Sequence, residues 1–482
     1  MRTDRPAPPS RRLLVLSGLI PTLACAAALT GCGGGAMSAG KNPSPTPTPA
    51  SKTVVQVEIG DSPADWMLAF SMNITTMSLT GSGSSATVVS ASTPIEMMHL
   101  MGVMQPLAMI SVPQGTYTGA SITIGSATVM YIDPTTRSPM QKTISGPIAG
   151  SVTFSAPVTV GSTPMAMGFD LDLAASVTAD TSGNLHMNPV FHVISGNQGS
   201  GSPMDFADGG IQQMMGAISS VSGSSFVMSS MQASQMFTFA TNSSTAFDGG
   251  SMTSMQNGML VMVDAMFQSD GSLMATRVQS MMNSGGMMGG GIVTAVSGQP
   301  ATTLTLVLQN GAGTGMMGSD FGNGVTADLS ASTTFTINDD NIDMAGLPFP
   351  PAFDSSHIYA GQNVMPISSS GMMGGMGGGM MGGSSMAGTI MASRLVLMPQ
   401  GLTGTVATAV ASGATASFSL ALPSDCAFTT MTGATSVTVF QQSATTVSGT
   451  SPIAAGSSAH AFGLLFYDSG QWKMVASRMN AN

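Results

Sequence analysis

"DGSLMATRV", residues 270–278, returns twice further along the chain, as "AGTIMASRL" at 387–395 and "SGQWKMVASRM" at 469–479. Each is an apolar run that reaches a small residue and then an arginine: Arg277, Arg394 or Arg478. Upstream of each ending lies a second echo: "NSSTAF" (242–247), "SASTTF" (330–335) and "QSATTV" (442–447). Further upstream lies a third: "GAISSVSG" at Gly216, "GIVTAVSG" at Gly291 and "GTVATAVASG" at Gly404. Three elements in one order, three times over, make an internal repeat, which signals one supersecondary unit used in tandem. The runs are short, rich in β-branched residues and stopped by Gly, Ser or Asn, so each copy reads as several strands. No helical periodicity is sustained past residue 32. These patterns predict an all-β chain with β modules at 216–281, 291–401 and 402–482.

Ahead of the repeats, residues 53–195 carry further strand-length runs: "VVQVEIG", "VPQGTYTGASITIGSATVMYI", "SVTFSAPVTV", "GFDLDLAASV" and "GNLHMNPVFHVIS". Each run ends at Gly, Pro, Asp or Asn, which predicts an N-terminal β-sandwich. Within it stand Asp61-Ser62-Pro63-Ala64-Asp65 after the first strand, Pro113-Gln114-Gly115-Thr116-Tyr117-Thr118 and Pro189-Val190. On those three marks the segment resembles an uncharacterised bacterial lipoprotein domain family whose first mark is an Asp-Ala-Pro-Ala-Asp box. The three copies resemble a second uncharacterised family, small all-β modules of OB-like barrel character found in tandem in bacterial envelope proteins. The resemblances imply folds and a cell-envelope setting, and no activity.

The first 31 residues have the layout of a secretory signal: arginines, an apolar run from Leu13 to Leu29, and small residues before Cys32. Leu29-Thr30-Gly31-Cys32 resembles the bacterial lipobox, which implies cleavage before Cys32 and a lipid on its sulfur. Residues 32–52 follow, with Pro43, Pro45, Pro47 and Pro49 alternating with small polar residues. Such a stretch favours extended polyproline II and reads as a tether. Membrane contact through the anchor, and a place in the envelope facing the periplasm or in the outer membrane, are the expectation. Cys426 is then the single remaining thiol, read as a buried apolar residue.

Charged residues make up 7% of the chain and the net charge is −10. Beyond Cys32, 8 basic and 21 acidic residues leave −13, a poor balance for nucleic acid, so no nucleic-acid partner is expected. The five histidines sit in no His-Glu-x-x-His motif, and neither a nucleophile elbow nor a Cys-x-x-Cys is present. Asp170 and Asp172 read as a solvated strand face, Asp339, Asp340 and Asp343 as an exposed turn, and the three repeated arginines as surface or barrel-lip residues. No catalytic residue and no cofactor is assigned.

Methionine is the anomaly, with 46 residues. Gly-Met-Met-Gly occurs at 286–289, 315–318, 371–374 and 379–382, and 371–386 is an insertion in the second copy, read as loop. Thioethers suit Cu(I). Met372, Met373, Met376, Met380 and Met381, with Met287 and Met288, are therefore the candidate soft-metal ligands. "IEMMHLMGVM" (95–104) offers Met97, Met98, Met101 and Met104 beside His99. Reversible oxidation to sulfoxide is a second use. Methionine standing in for leucine is the simplest reading, since the two exchange in cores at low cost. The sequence thus points to a lipid-anchored envelope protein with a structural or interaction role, an envelope or surface partner and no catalytic activity. The alternative is a Met-rich Cu(I)/Ag(I)-binding protein or periplasmic oxidant sink.

Overall fold

Alternation along Met67–Gly81 turns Phe70, Met72, Ile74, Met77 and Leu79 inward, and the same period-2 logic builds two facing sheets. In the computed structural model one sheet has the order Phe191–Asn197, Met165–Asp172, Lys52–Ser62, Met104–Pro113. The other has the order Ser85–Val89, Met67–Gly81, Gly115–Ile132, Pro139–Val160. Phe70, Tyr117 and Phe169 fill the space between them. Tyr117 donates its hydroxyl to the Pro113 carbonyl at 2.9 Å, so one buried side chain pins the turn between two strands. The structure describes residues 51–62, 64–81, 85–100, 103–197, 210–231, 233, 235–282, 287–313, 324–339, 342–368, 389–408, 416–449 and 453–481. Among them no helix is long and apolar enough to cross a membrane.

The remaining strands repeat one pairing scheme. Gly210–Ser222 pairs antiparallel with Ser225–Ser230 on one side and Leu260–Phe267 on the other. Ser225–Ser230 passes to Met236–Ala240, and Leu260–Phe267 passes to Leu273–Met282. Met236–Ala240 and Leu273–Met282 then meet in parallel and close the ring, with Ala246–Asp248 extending that parallel seam. Met287–Ser297, Thr303–Gly313, Gly324–Asp328, Thr334–Ile337, Asn363–Ser368, Thr389–Met391 and Arg394–Leu397 follow the same scheme. Gln400–Val406, Ala416–Ala421, Ser436–Gly449, Ser458–Asp468 and Gln471–Ala481 form a closed barrel with it again. The chain is all-β, as its patterning predicts, and the three closed units are called barrels below.

Two sequence echoes become one contact. The last strand of the first barrel bulges at Thr276 and that of the third at Ser477, while that of the second breaks at residues 392–393. A bulge takes a residue out of the ladder. The threonine of each middle echo donates its hydroxyl to the alanine carbonyl there: Thr245 to Ala275, Thr333 to Ala392 and Thr445 to Ala476, each at 2.7 Å. The same oxygens accept the backbone N–H of Asn242, Ser330 and Gln442 at 3.0, 2.8 and 2.8 Å. The glycines that open the echoes have a steric cause. A Cβ on Gly216, Gly291 or Gly404 would lie 2.4, 1.9 or 2.3 Å from a carbonyl oxygen of the second strand.

The barrels and the sandwich share buried surfaces. Leu68, Met130 and Ile132 of the sandwich pack with Ile292 and Val307 of the second barrel and Ala427 of the third. Phe440, Leu464, Phe466 and Val475 of the third barrel join the core of the second. Glutamine side chains stitch the seams through backbone groups, as in Gln309 to the Leu68 carbonyl at 2.7 Å and Gln362 to the Leu465 carbonyl at 3.0 Å.

The opening strands begin before the shared glycines, at Gly210, Met287 and Gln400, because the glycine marks the crossing point and the residues upstream of it differ among copies. Within the boundary tract at 286–289, Met287 begins the strand Met287–Ser297, which is paired on both sides. Residues 315–318 and 371–386 lie outside the described residues.

Gly291→Ala should cost on the order of 1–3 kcal/mol, the usual size of an overpacking penalty. Gly161→Ala, where a Cβ meets nothing within 4 Å, should be near neutral. Urea denaturation of the two variants checks this; equal stabilities would contradict the crossing as described.

Candidate functional site

The three repeated arginines occupy one lattice position, paired across the parallel seam with Ala246, Thr334 and Thr446. Their surroundings differ. Arg277 donates through Nε to the Asp248 carboxylate and has Asp339 at 3.5 Å. Arg394 donates to the Met281 carbonyl of the first barrel at 2.6 Å. Arg478 is 9% exposed, with its guanidinium 4.3 Å above the Phe462 ring. The expectation that these are surface or lip residues fails for Arg478. Nothing local to "VASRM" signals its burial.

Arg478 lies on the wall of a cavity of about 510 Å³ between the first and third barrels. The first barrel contributes Ile211, Gln212, Asp264 and Met266; the third adds Gln442 and Ser477, and Ile342 comes from the second. Asp264 accepts the Gln213 backbone N–H at 2.7 Å, which fixes its carboxylate. Gln442 accepts the Asp343 backbone N–H at 3.1 Å. Cavities of roughly 300–1,000 Å³ with a few convergent polar groups are the usual form of small-molecule sites. A charged fork, amides and hydroxyls facing an apolar wall can hold and orient a polar molecule.

Other polar groups are committed to the fold. The Glu96 carboxylate accepts backbone N–H groups of Phe70, Met98 and His99 at 2.9, 3.1 and 3.0 Å, and sits 3.1 Å from His99 Nδ1. Asp172 caps a short helix by accepting the Ala175 N–H at 2.8 Å, so it is not simply a solvated strand face. Asp61 of the Asp61–Asp65 segment is buried, with both carboxylate oxygens lacking a hydrogen-bond partner among the described residues. Burial, then the nearby charges of Asp170 and Glu96, push its pKa well above the ordinary carboxylate range. Asp65 binds Thr403 of the third barrel, and burial raises its pKa to about 6. The Thr403 hydroxyl is 3.0 Å from His460 Nδ1. Burial, helped by the charge of Arg478, lowers the His460 pKa to about 4. Among the described residues no group of three or more His, Cys, Asp or Glu side chains could hold a metal ion. Cys426 is buried, and burial raises its thiol pKa.

The described methionines are mostly construction material. Met215, Met262 and Met281 of the first barrel pack against Met365 and Met398 of the second. Met97, Met98 and Met104 are buried in the sandwich, and Met101 lies outside the described residues. Of the candidate ligands, Met287 and Met288 open the first strand of the second barrel. Met372, Met373, Met376, Met380 and Met381, and the anchor candidate Cys32, lie outside the described residues.

Comparison with known proteins adds one family. Residues 215–279, nearly all of the first barrel, match a domain of unknown function, DUF5666. No curated protein matches the chain. A solved structure, the periplasmic gluconolactonase PpgL of Pseudomonas aeruginosa, is similar at 12% identity over 50% of this chain and 76% of its own. Its TM-score is 0.11, too low to carry an argument about fold or activity.

The buried acid and imidazole pull stability in opposite directions. Asp65, with its pKa raised to about 6, contributes stability that is present below its unfolded pKa of roughly 4 and lost as pH rises through about 6. His460, lowered to about 4, contributes stability that is present above roughly 6.5 and lost as pH falls through about 4. Melting temperatures from pH 4 to 7 should therefore rise more steeply with pH in Asp65→Asn than in the parent. In His460→Gln the slope should shift the opposite way, with melting temperature gaining less as pH rises. Slopes unchanged from the parent would contradict the assignment.

Proposed function

We propose that this chain is a lipid-anchored protein of the bacterial cell envelope with a structural or interaction role and no catalytic activity. The observation that carries the reading is how deep polar side chains are used. Gln309, Gln362 and the threonines Thr245, Thr333 and Thr445 are spent on backbone groups that join strands, barrels and sandwich. Such bonds fix the strands they join in one arrangement, which suits a scaffold or a presented surface. The lipobox-like Leu29-Thr30-Gly31-Cys32 and the proline tether supply the attachment. A lipidated cysteine bearing more than one chain meets the two-signal requirement for stable anchoring. Cys32→Ser should shift the protein from the detergent phase to the aqueous phase in detergent phase separation; a variant that stays in the detergent phase would overturn the anchor.

One observation favours the soft-metal reading as a second proposal. Met287 is paired with Gly313 on one side and Ser368 on the other. The strands leading to 314–323 and to 369–388, which hold Met316, Met317 and the 371–386 tract, thus end beside Met287. Thioethers need no deprotonation, so Cu(I) should bind at acidic as well as neutral pH, and Cys426→Ala should not weaken it. Competition against a Cu(I) chelator tests this. Equal binding by the parent and a 371–386 deletion variant would sink it.

A further inference from the structure

We propose that Met140, Met236 and Met391 are reversible oxidation sites, converted to the sulfoxide by hypochlorous acid and restored by a thiol-dependent reductase while the fold stays intact. Among the described residues these three are the exposed large apolar side chains, at 43%, 62% and 43%. No leucine, isoleucine or phenylalanine among the described residues is exposed. Methionine that merely stood in for leucine would share such positions with leucine, because the two exchange at low cost. Each of the three lies at the end of a strand. Met140 is second in Pro139–Val160, Met236 is first in Met236–Ala240, and Met391 is last in Thr389–Met391. A sulfoxide oxygen formed there meets water.

The fold shelters other thioethers. Met97, Met167, Met214, Met228, Met365 and Met474 are wholly buried. A sulfoxide at those places would bring a polar oxygen into an apolar core and disrupt it. Cys426 is kept from competing in the same way: it is buried, and burial raises its thiol pKa, which disfavours the reactive thiolate. The chain thus divides its sulfur between an accessible class and a protected one.

The chemistry balances without help from the protein. The thioether sulfur gives an electron pair to the chlorine of hypochlorous acid, and hydroxide leaves. Water then adds to sulfur and chloride departs, so that in net a sulfoxide, a chloride ion and a proton are formed. Sulfur is oxidised and chlorine reduced by one electron pair. A dithiol reductase returns that pair, releases the oxygen as water and ends as a disulfide.

Sub-stoichiometric hypochlorite added to the full chain, followed by peptide mass spectrometry, tests this. Sulfoxide at Met140, Met236 and Met391 should exceed that at the wholly buried methionines by at least roughly tenfold. The same dose in urea should erase the preference, because burial alone sets it. The melting temperature of the treated chain should match the parent, and methionine sulfoxide reductase with dithiothreitol should return the three peptides to their original mass. A variant carrying Met140→Leu, Met236→Leu and Met391→Leu, whose changes lie on the surface, serves as the reference for stability. The proposal is overturned if the buried methionines oxidise as readily in the folded chain, if the reductase leaves the three sites oxidised, or if hypochlorite lowers the melting temperature of the parent and not of the leucine variant.

Discussion

A single hydroxyl, used three times, sets the architecture of the repeats. Closing a five-stranded ring requires a parallel seam between its third and last strands, and parallel seams cannot be made by a hairpin. Each last strand bulges or breaks at the seam, which leaves an alanine carbonyl without a ladder partner. A threonine at the break in the facing strand supplies the missing donor at 2.7 Å in every barrel and takes a backbone N–H in return. A buried carbonyl left unpaired would cost roughly 1–3 kcal/mol. The residues on either side of the bulge inherit their positions from it, and these include the arginine that follows it.

From that arginine the copies diverge. One lattice position gives an ion pair with Asp248 in the first barrel, a bond to a neighbouring barrel's carbonyl in the second, and a buried charge on a cavity wall in the third. The divergence comes from packing between barrels. Apolar outer faces, rich in methionine between the first and second barrels, bury one another and carry polar residues inward with them. Methionine suits such seams because its unbranched side chain fills irregular gaps. His460 and Asp65 are held at the sandwich–barrel boundary by the same assembly, which is why their pKa values move.

What could be read from the sequence follows the same division between local and long-range causes. The echoes "NSSTAF" and "DGSLMATRV" were visible because a strand break needs a threonine and a bulge needs a small residue, whatever surrounds them. That the two echoes touch was not visible, since the contact spans 30 residues in the first barrel and 59 in the second. All-β character was legible from run length and turn residues. The burial of Arg478 was not, because nothing local to "VASRM" sets it apart from the endings that carry Arg277 and Arg394. Nor was the strand at Met287, whose Gly-Met-Met-Gly tract reads as the boundary between two copies until its two neighbours are in place.

Amide hydrogen exchange on Thr245→Val tests the central claim most directly. Valine keeps the volume and removes both hydrogen bonds of the hydroxyl. Protection should fall in peptides covering Met236–Asp248 and Leu273–Met282, the two sides of the first barrel's seam, and remain as in the parent across the sandwich strands Met67–Gly81 and Gly115–Ile132. Unchanged protection at the seam, or a loss spread evenly over sandwich and barrel, would contradict the view that this hydroxyl holds the ring closed.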